Sequence, residues 1–314
     1  MDLCDIKKIG IAGGGTMGFG LAINFALWRY PTTIYDLNDQ VLGGTVQRVK
    51  KALDMFVTED LISRQRSEET FERMTFTSYI HKLADADFIT EAIIERLSDK
   101  QDLFSHLDRI CKPETIIASN TSALRMGDIA AGVKRQDKVV LTHYFSPPHF
   151  VPGVEVAKGP GTTDETFDLT HDLLKQVRKV PVRVLKECPG YLLNTIQAEL
   201  GSVAIRLWAE GVASAEDIDL GVRASFGFRH PHEGPMMHAD LSGSWKRPKD
   251  LLAMRAKRTV QMPGLSEEGK ERLYERLANG RTWFVDADTI DEIIEIRDRE
   301  AIRRLKELYW GNAD

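Results

Sequence analysis

Cysteine is scarce: Cys4, Cys111 and Cys188 are the only three, widely spaced and in no CxxC arrangement. An odd, scattered set supports neither a disulfide framework nor a zinc knuckle, so a reducing compartment is expected. Long apolar runs are missing too; none approaches the roughly 20 residues that a bilayer span requires. The opening residues, with Asp2, Asp5, Lys7 and Lys8, do not show the pattern of a secretory signal. A basic surplus is also lacking. The net charge of -5 counts against a general nucleic-acid binder, because such proteins neutralise phosphates with clustered Lys and Arg. There is no GxSxG elbow for a hydrolase and no GxxxxGK-S/T loop for an NTPase. His230, His232 and His238 lie near Glu233 and Asp240, but without HExxH or another ligand spacing, so no metal is expected. These absences leave a cytoplasmic globular protein whose partner is a small molecule, not a membrane or a nucleic acid.

The alternation of β-rich and helix-periodic segments is what the chain does have. Lys8–Ala12 reads as a short strand, Leu21–Leu27 as a buried helix and Thr32–Asp36 as a second strand, which together form a βαβ unit. From Asn38 to Arg73 the pattern is polar and helical and predicts a helical hairpin projecting from the sheet. Strands are then expected at Phe88–Ile93, Thr115–Ala118, Val139–Tyr144 and Val182–Leu185, with helices between them. That order predicts a Rossmann-type, doubly wound and mostly parallel sheet. After Cys188-Pro189-Gly190 the β-rich runs largely stop and long amphipathic helices follow. The expected division is residues 1–188 for the sheet domain and 189–314 for an all-helical substrate and dimerisation domain. The closing stripe of Ile290, Ile293, Ile294, Ile302, Leu305 and Leu308 is read as a packing or dimer face. The basic stretch of Lys246, Arg247, Lys249, Arg255, Lys257 and Arg258 is read as a solvated helix.

Gly13-Gly14-Gly15-Thr16-Met17-Gly18 fits GxGxxG between a strand and a helix, where that spacing carries meaning. Gly13 permits the tight turn, Gly15 lets backbone approach a pyrophosphate, and Gly18 lets the helix pack closely. The backbone around Thr16 and Met17 then offers helix N-terminal N–H groups to phosphate. An acid about 20 residues on should accept hydrogen bonds from the adenine ribose. Asp36 stands there with no arginine directly after it, which favours NAD over NADP.

Ligands of a doubly wound sheet bind at the carboxyl ends of its strands. Ser122 and His143 both fall at such ends, and Glu155 follows across turns containing Pro147-Pro148 and Pro152-Gly153. The segments Ser119-Asn120-Thr121-Ser122, His143-Tyr144-Phe145-Ser146-Pro147-Pro148 with Val154-Glu155, and Pro189-Gly190-Tyr191-Leu192-Leu193-Asn194 occur in that order. They resemble the active-site signatures of the 3-hydroxyacyl-CoA dehydrogenase family, over nearly the whole chain up to about Gly243. The resemblance implies NAD-dependent oxidation of a secondary alcohol, with His143 as the base and Glu155 holding its ring. It also implies that Ser122 and Asn194 bind the reacting oxygen, and that Glu95 and Lys100 line the nicotinamide end of the cofactor.

The match departs from the family at Ser146, where asparagine is usual, and at Thr195, where arginine is usual. Its C-terminal turn is replaced by Asn279-Gly280-Arg281-Thr282-Trp283-Phe284, within a divergent stretch from 244 to 286. Val182–Glu187 and the final basic helix are more similar to the gulonate dehydrogenase and lambda-crystallin branch, which acts on small free acids. Arg229 would then meet a substrate carboxylate, or serve as a structural ion-pair partner. Alternatively Arg48, Lys50, Lys51, Arg64 and Arg66 on the hairpin meet the phosphates of CoA, or simply form a solvated face. Three readings stay open: a 3-hydroxyacyl-CoA dehydrogenase, a dehydrogenase of a gulonate- or carnitine-like free acid, and a non-catalytic crystallin-like protein.

Overall fold

A computed structural model describes residues 1–246, 248–261 and 264–310. By its contacts the chain divides into two compact units, 1–201 and 202–314.

The first unit is built on eight strands: β1 (Ile9–Ala12), β2 (Thr32–Tyr35), β3 (Met74–Thr77), β4 (Phe88–Glu91), β5 (Ile116–Ser119), β6 (Val139–Tyr144), β7 (Gly153–Lys158) and β8 (Val180–Val184). Their order is β3-β2-β1-β4-β5-β6-β7-β8, and every neighbouring pair is parallel except β6 with β7. The chain leaves β1 toward one side of the sheet and later returns on the other side, at β4. This reversal opens a crevice at the carboxyl ends of the strands. β1, β4, β5 and β6 are buried along their whole length because helices cover both faces, which is why they read as continuous apolar runs.

Around the sheet lie α1 (Gly18–Leu27), α2 (Asp39–Thr58), α3 (Arg64–Glu72), α4 (Leu97–Ile110), α5 (Met126–Ile129) and α6 (Asp164–Gln176). α1 is apolar nearly all round, with Leu21, Ile23 and Phe25 at most 1% exposed, and each such side chain contributes about 2–3 kcal/mol of burial. The expected hairpin is α2 and α3. Asn38 caps the first, accepting from Gln40 N–H, and Ser63 caps the second, accepting from Arg66 N–H. Its apolar side, with Leu42, Val49, Leu53 and Phe56, joins the core around α1.

Two strands are additions to the expected set. β3 follows directly from α3 and lies at a sheet edge, so its half-exposed Thr-rich sequence lacks the apolar signature of the central strands. β7 was expected only as a return after turns; it forms the sheet's one antiparallel ladder.

α7 (Tyr191–Ala209) runs through the division after Gly201. The second unit then holds α8 (Ala215–Ala224), α9 (Phe226–Arg229), α10 (Pro235–Leu241), α11 (Lys249–Thr259), α12 (Glu267–Ala278) and α13 (Ile290–Leu305). It is helical throughout its described residues. Leu241, Val285 and Ile290 form its small core, with Met237, Trp245, Ile293 and Ile294 packed against them. The buried Asp240 accepts backbone N–H groups from Trp283, Phe284 and Val285 at 2.6, 3.0 and 3.1 Å and so ties down the turn before α13. Arg247 of the basic stretch lies outside the described residues. No described helix is long and apolar enough to cross a membrane.

Candidate active site

The glycine turn between β1 and α1 is held tightly. Gly13 has φ +113, and a Cβ there would stand 2.5 Å from the Ala92 carbonyl oxygen. A Cβ on Gly18 would stand 1.7 Å from the carbonyl of Gly13, so the first turn of α1 closes onto the loop. Gly14 donates its N–H to Asp36 at 2.8 Å, and its carbonyl accepts from Thr45 at 2.6 Å and Arg48 at 2.9 Å. A Cβ on Gly15 would meet nothing within 4 Å, so here the backbone faces open space.

That space is a cavity of about 630 Å³ whose lining includes Gly13, Gly15, Asp36, Val41, Ala92 and Ile93. Asp36 stands just after β2 and uses one carboxylate oxygen on Gly14 and the other on Asn38 N–H at 3.0 Å. Each oxygen keeps lone pairs for a ribose diol. An open glycine backbone and an anchored carboxylate fit a dinucleotide without a 2′-phosphate.

A second cavity, of about 640 Å³, shares Ala92 and Ile93 with the first. Met17, Glu95, Ser122, His143, Asn194 and Gln197 also line it. His143 and Glu155 are directly opposed across the β6–β7 ladder. Their side chains meet, Nδ1 to Oε2, at 2.6 Å, with His143 4% exposed and Glu155 fully buried. The other oxygen of Glu155 accepts the Leu193 N–H at 2.7 Å, in the first turn of α7. One carboxylate therefore fixes both the imidazole and the turn that carries Asn194. Phe145 packs on the His143 ring, with centroids 4.5 Å apart. With Nδ1 engaged, Nε2 is the ring nitrogen left to meet a ligand.

Comparisons with known proteins show the family. The family model described as the 3-hydroxyacyl-CoA dehydrogenase NAD binding domain matches residues 8–188, and that of the family's C-terminal domain matches residues 190–275. The chain belongs to the 3-hydroxyacyl-CoA dehydrogenase family. It is an NAD-dependent oxidoreductase. A 3-hydroxybutyryl-CoA dehydrogenase of Clostridioides difficile is 35% identical over 75% of this chain and 83% of its own length. The lambda-crystallin homolog of Rattus norvegicus is 32% identical over 74% of each chain. The crystal structure of (S)-3-hydroxybutyryl-CoA dehydrogenase from Ralstonia eutropha superposes with a TM-score of 0.67 and 26% identity, covering 93% of this chain and 94% of that one.

Within this family member the expected residues are distributed unevenly. Gly13, Gly15 and Asp36 line the first cavity, while Met17, Glu95, Ser122, His143 and Asn194 line the second. Thr16 is exposed on the turn, and Gly18 is buried beneath it. Lys100 differs from expectation: it is 1% exposed and lines neither cavity, because its ammonium sits between Glu91 at 2.5 Å and Glu95 at 3.1 Å. In the second unit Arg229 has an internal partner, the buried Glu233 at 3.6 Å, which also holds His238 at 2.8 Å and Arg297 at 3.0 Å. On the hairpin, Arg48 is taken up by Gly14 and the Phe19 ring, Lys50 by the Phe71 ring, Arg64 by Asp54 and Arg66 by the Trp28 ring. Among the described residues no group of three His, Cys, Asp or Glu is placed to hold a metal.

Three contributors escaped the sequence reading. Gln197 lies one turn beyond Asn194 on α7 and lines the same cavity, which the i, i+3 spacing could have shown. Glu91 ends an apolar strand and is fully buried. Lys179, 7% exposed, donates to the carbonyls of Pro148 at 2.6 Å and Val151 at 3.0 Å, so it holds the loop after β6 that carries Phe145 and Ser146 into the cavity.

Proposed function

We propose that the chain interconverts a 3-hydroxyacyl group, carried as a CoA thioester of fatty-acid metabolism, and its 3-oxo form, with His143 as the base. The observation that carries this reading is the buried His143–Glu155 pair facing a cavity that adjoins the glycine-lined crevice. Gly13, Gly15, the N-terminus of α1 and Asp36 hold the adenosine and pyrophosphate side of NAD; Met17 and Glu95 flank its nicotinamide side. When bound, NAD supplies the acceptor for the hydride that leaves the carbinol carbon.

His143 does the proton work. Glu155 accepts from Nδ1 and so keeps Nε2 unprotonated toward the substrate hydroxyl. As the proton reaches Nε2, the charge created in this buried place lies against the Glu155 carboxylate. Ser122 and Asn194 donate hydrogen bonds to the reacting oxygen and fix its approach. Phe145, Tyr144 and Val151 limit water at the ring.

A thioester is favoured over a free hydroxy acid by charge. None of the described residues lining this cavity is Lys or Arg, and Glu95 is among them, so a substrate carboxylate would meet an anion there and no cation. The similarity to a lambda-crystallin homolog keeps the free acid as the second reading. His143→Ala should lower kcat by about a hundredfold to ten-thousandfold and leave NADH affinity within a few-fold. NADH absorbance with a panel of 3-hydroxyacyl-CoA esters, L-gulonate and carnitine should show turnover of the esters. Turnover of the free acids alone would overturn the thioester assignment, and turnover of none would overturn both substrate readings.

The same proposal includes a cytoplasmic location and a division of labour between residues 1–188 and 189–314. It includes a homodimer as well, since Ile196, Leu200 and Val203 on α7 form an apolar stripe 42–51% exposed. Light scattering in solution would test the dimer.

A further inference from the structure

The second unit contains a cavity that the proposed chemistry does not use. It measures about 290 Å³ and is walled by Met236 on α10, Trp245 in the turn before α11, Leu252 on α11, Leu273 and Leu277 on α12, and Trp283 in the turn after α12. The walls are held in place by contacts of their own. Gly280 has φ +60, and a Cβ there would stand 2.8 Å from both Leu252 Cδ1 and the Trp245 carbonyl oxygen, so the turn after α12 closes directly onto α11. The Trp245 indole N–H donates to the Asp240 carbonyl at 2.9 Å. The Trp283 carbonyl accepts from Arg276 at 3.2 Å, and the same guanidinium stacks 5.1 Å from the centre of the Trp283 ring. With these polar atoms turned to one another, the wall that faces the cavity is mostly hydrocarbon. Close-packed interiors leave few voids larger than a water molecule, because a void deprives its lining of dispersion contacts. A space of this size beside so small a core calls for a reason other than packing.

The charge of the lining is one-sided. Arg255, on α11, and Arg281, next to Gly280, both line the cavity. Both are exposed, and among the described residues neither guanidinium enters an ion pair or a hydrogen bond. The one acid among the described lining residues is Asp240, which is 1% exposed. Its oxygens are turned to the N–H groups of Trp283, Phe284 and Val285, and neither arginine reaches them. Arg255 also lines an adjoining recess, where Arg258 joins it and no acid is present among the described residues. A guanidinium fork matches a carboxylate in geometry and charge. The hydrocarbon wall, in turn, matches an apolar body.

An apolar cavity of about 150 Å³ takes a benzene ring, so nearly twice that space suits a hydrocarbon body of about eight carbons. We infer that this cavity is a separate ligand site for a medium-length amphipathic anion, its hydrocarbon body against Trp245, Leu277 and Trp283 and its anionic head held by Arg255 and Arg281. The site shares no residue with the His143 cavity, so loss of either assignment leaves the other standing.

Isothermal titration calorimetry of the full chain tests the site with three probes of equal length: octanoate, octylamine and octanol. The proteins compared are the wild type, the Arg255→Gln/Arg281→Gln double variant and Leu277→Trp, whose larger side chain fills the cavity. Octanoate should bind the wild type with a Kd of about 1 mM or tighter, and octylamine at least about tenfold more weakly. The double variant should weaken octanoate at least about tenfold and leave octanol within about twofold. Leu277→Trp should abolish the binding of both. Equal affinities for octanoate and octylamine, or no binding of octanoate, would overturn the inference. Octanoate lodged elsewhere, in the substrate cavity for example, would respond to neither variant, and that result would overturn it as well. If Leu277→Trp does not melt cooperatively, the double variant decides, since both of its arginines are exposed, and the comparison of octanoate with octylamine needs no variant at all.

Discussion

Gly15 and Gly18 serve the nucleotide crevice in opposite ways. A methyl group at Gly15 meets no protein atom within 4 Å, so Gly15→Ala should keep its melting temperature. That methyl would nonetheless stand where a pyrophosphate must approach the backbone. NADH affinity should therefore fall at least about tenfold, the equivalent of roughly 1.4 kcal/mol. Gly18→Ala brings its Cβ to 1.7 Å from the Gly13 carbonyl, which forces the turn apart. It should lose both stability and affinity, with an overpacking cost of about 1–3 kcal/mol. Calorimetry beside NADH titration checks both; a Gly15 variant that binds normally would dissociate the crevice from the cofactor. The two glycines were legible in the sequence because a turn motif is local. Glu91 was not, because its meaning depends on Ser119 and Lys100, which only the folded sheet brings beside it.

At the scale of elements, the decisive device is the β6–β7 hairpin. Parallel neighbours would have required a crossover between His143 and Glu155, whereas an antiparallel pair faces them across one rung. β6 was readable from its apolar run. β7 was hidden, because Gly153–Lys158 follows a proline-rich turn and carries its acid in mid-strand, so the pairing of Glu155 with His143 rested on resemblance and not on a predicted strand. The intervening loop is held from below: the Pro148 carbonyl accepts from both Asn24 at 2.8 Å and Lys179 at 2.6 Å. A lysine between a helix and a strand reads as solvated; its burial follows from a loop about thirty positions earlier, beyond any local pattern. Lys179→Met removes hydrogen bonds from a charged donor, each contributing about 1.5–3 kcal/mol. The loosened loop should raise the substrate KM several-fold and leave NADH affinity unchanged. Steady-state kinetics would show it, and an unaltered KM would mean that Phe145 and Ser146 are fixed by other contacts.

For the whole molecule, the same lysine gives stability an alkaline signature. Burial brings the Lys179 ammonium down to about 8 from 10.5. Below pH 8 both the folded and unfolded chains hold the proton, and the fold carries the full cost of a buried charge. Between pH 8 and 10.5 the unfolded chain binds more protons than the native one, so stability rises with pH. The total gain is of order 3 kcal/mol. Opposing groups act from higher pH. Burial moves the Cys111 thiol up to about 11 from 9.0, and it raises Tyr144 and Tyr191 above the usual tyrosine range. In each case the unfolded chain ionises first, so stability falls above pH 9 for the thiol and above pH 10 for the tyrosines. The neighbouring His149 is lowered, by burial first and then by Lys179, and is already neutral throughout this window. A wild-type curve alone therefore mixes opposite slopes, and the useful quantity is the difference from Lys179→Met. Denaturant unfolding from pH 7 to 10.5 should show that difference shifting in favour of the wild type across pH 8 to 10.5. A difference that stays flat would mean that the ammonium keeps its ordinary affinity for protons, and that two carbonyls compensate its burial without a carboxylate.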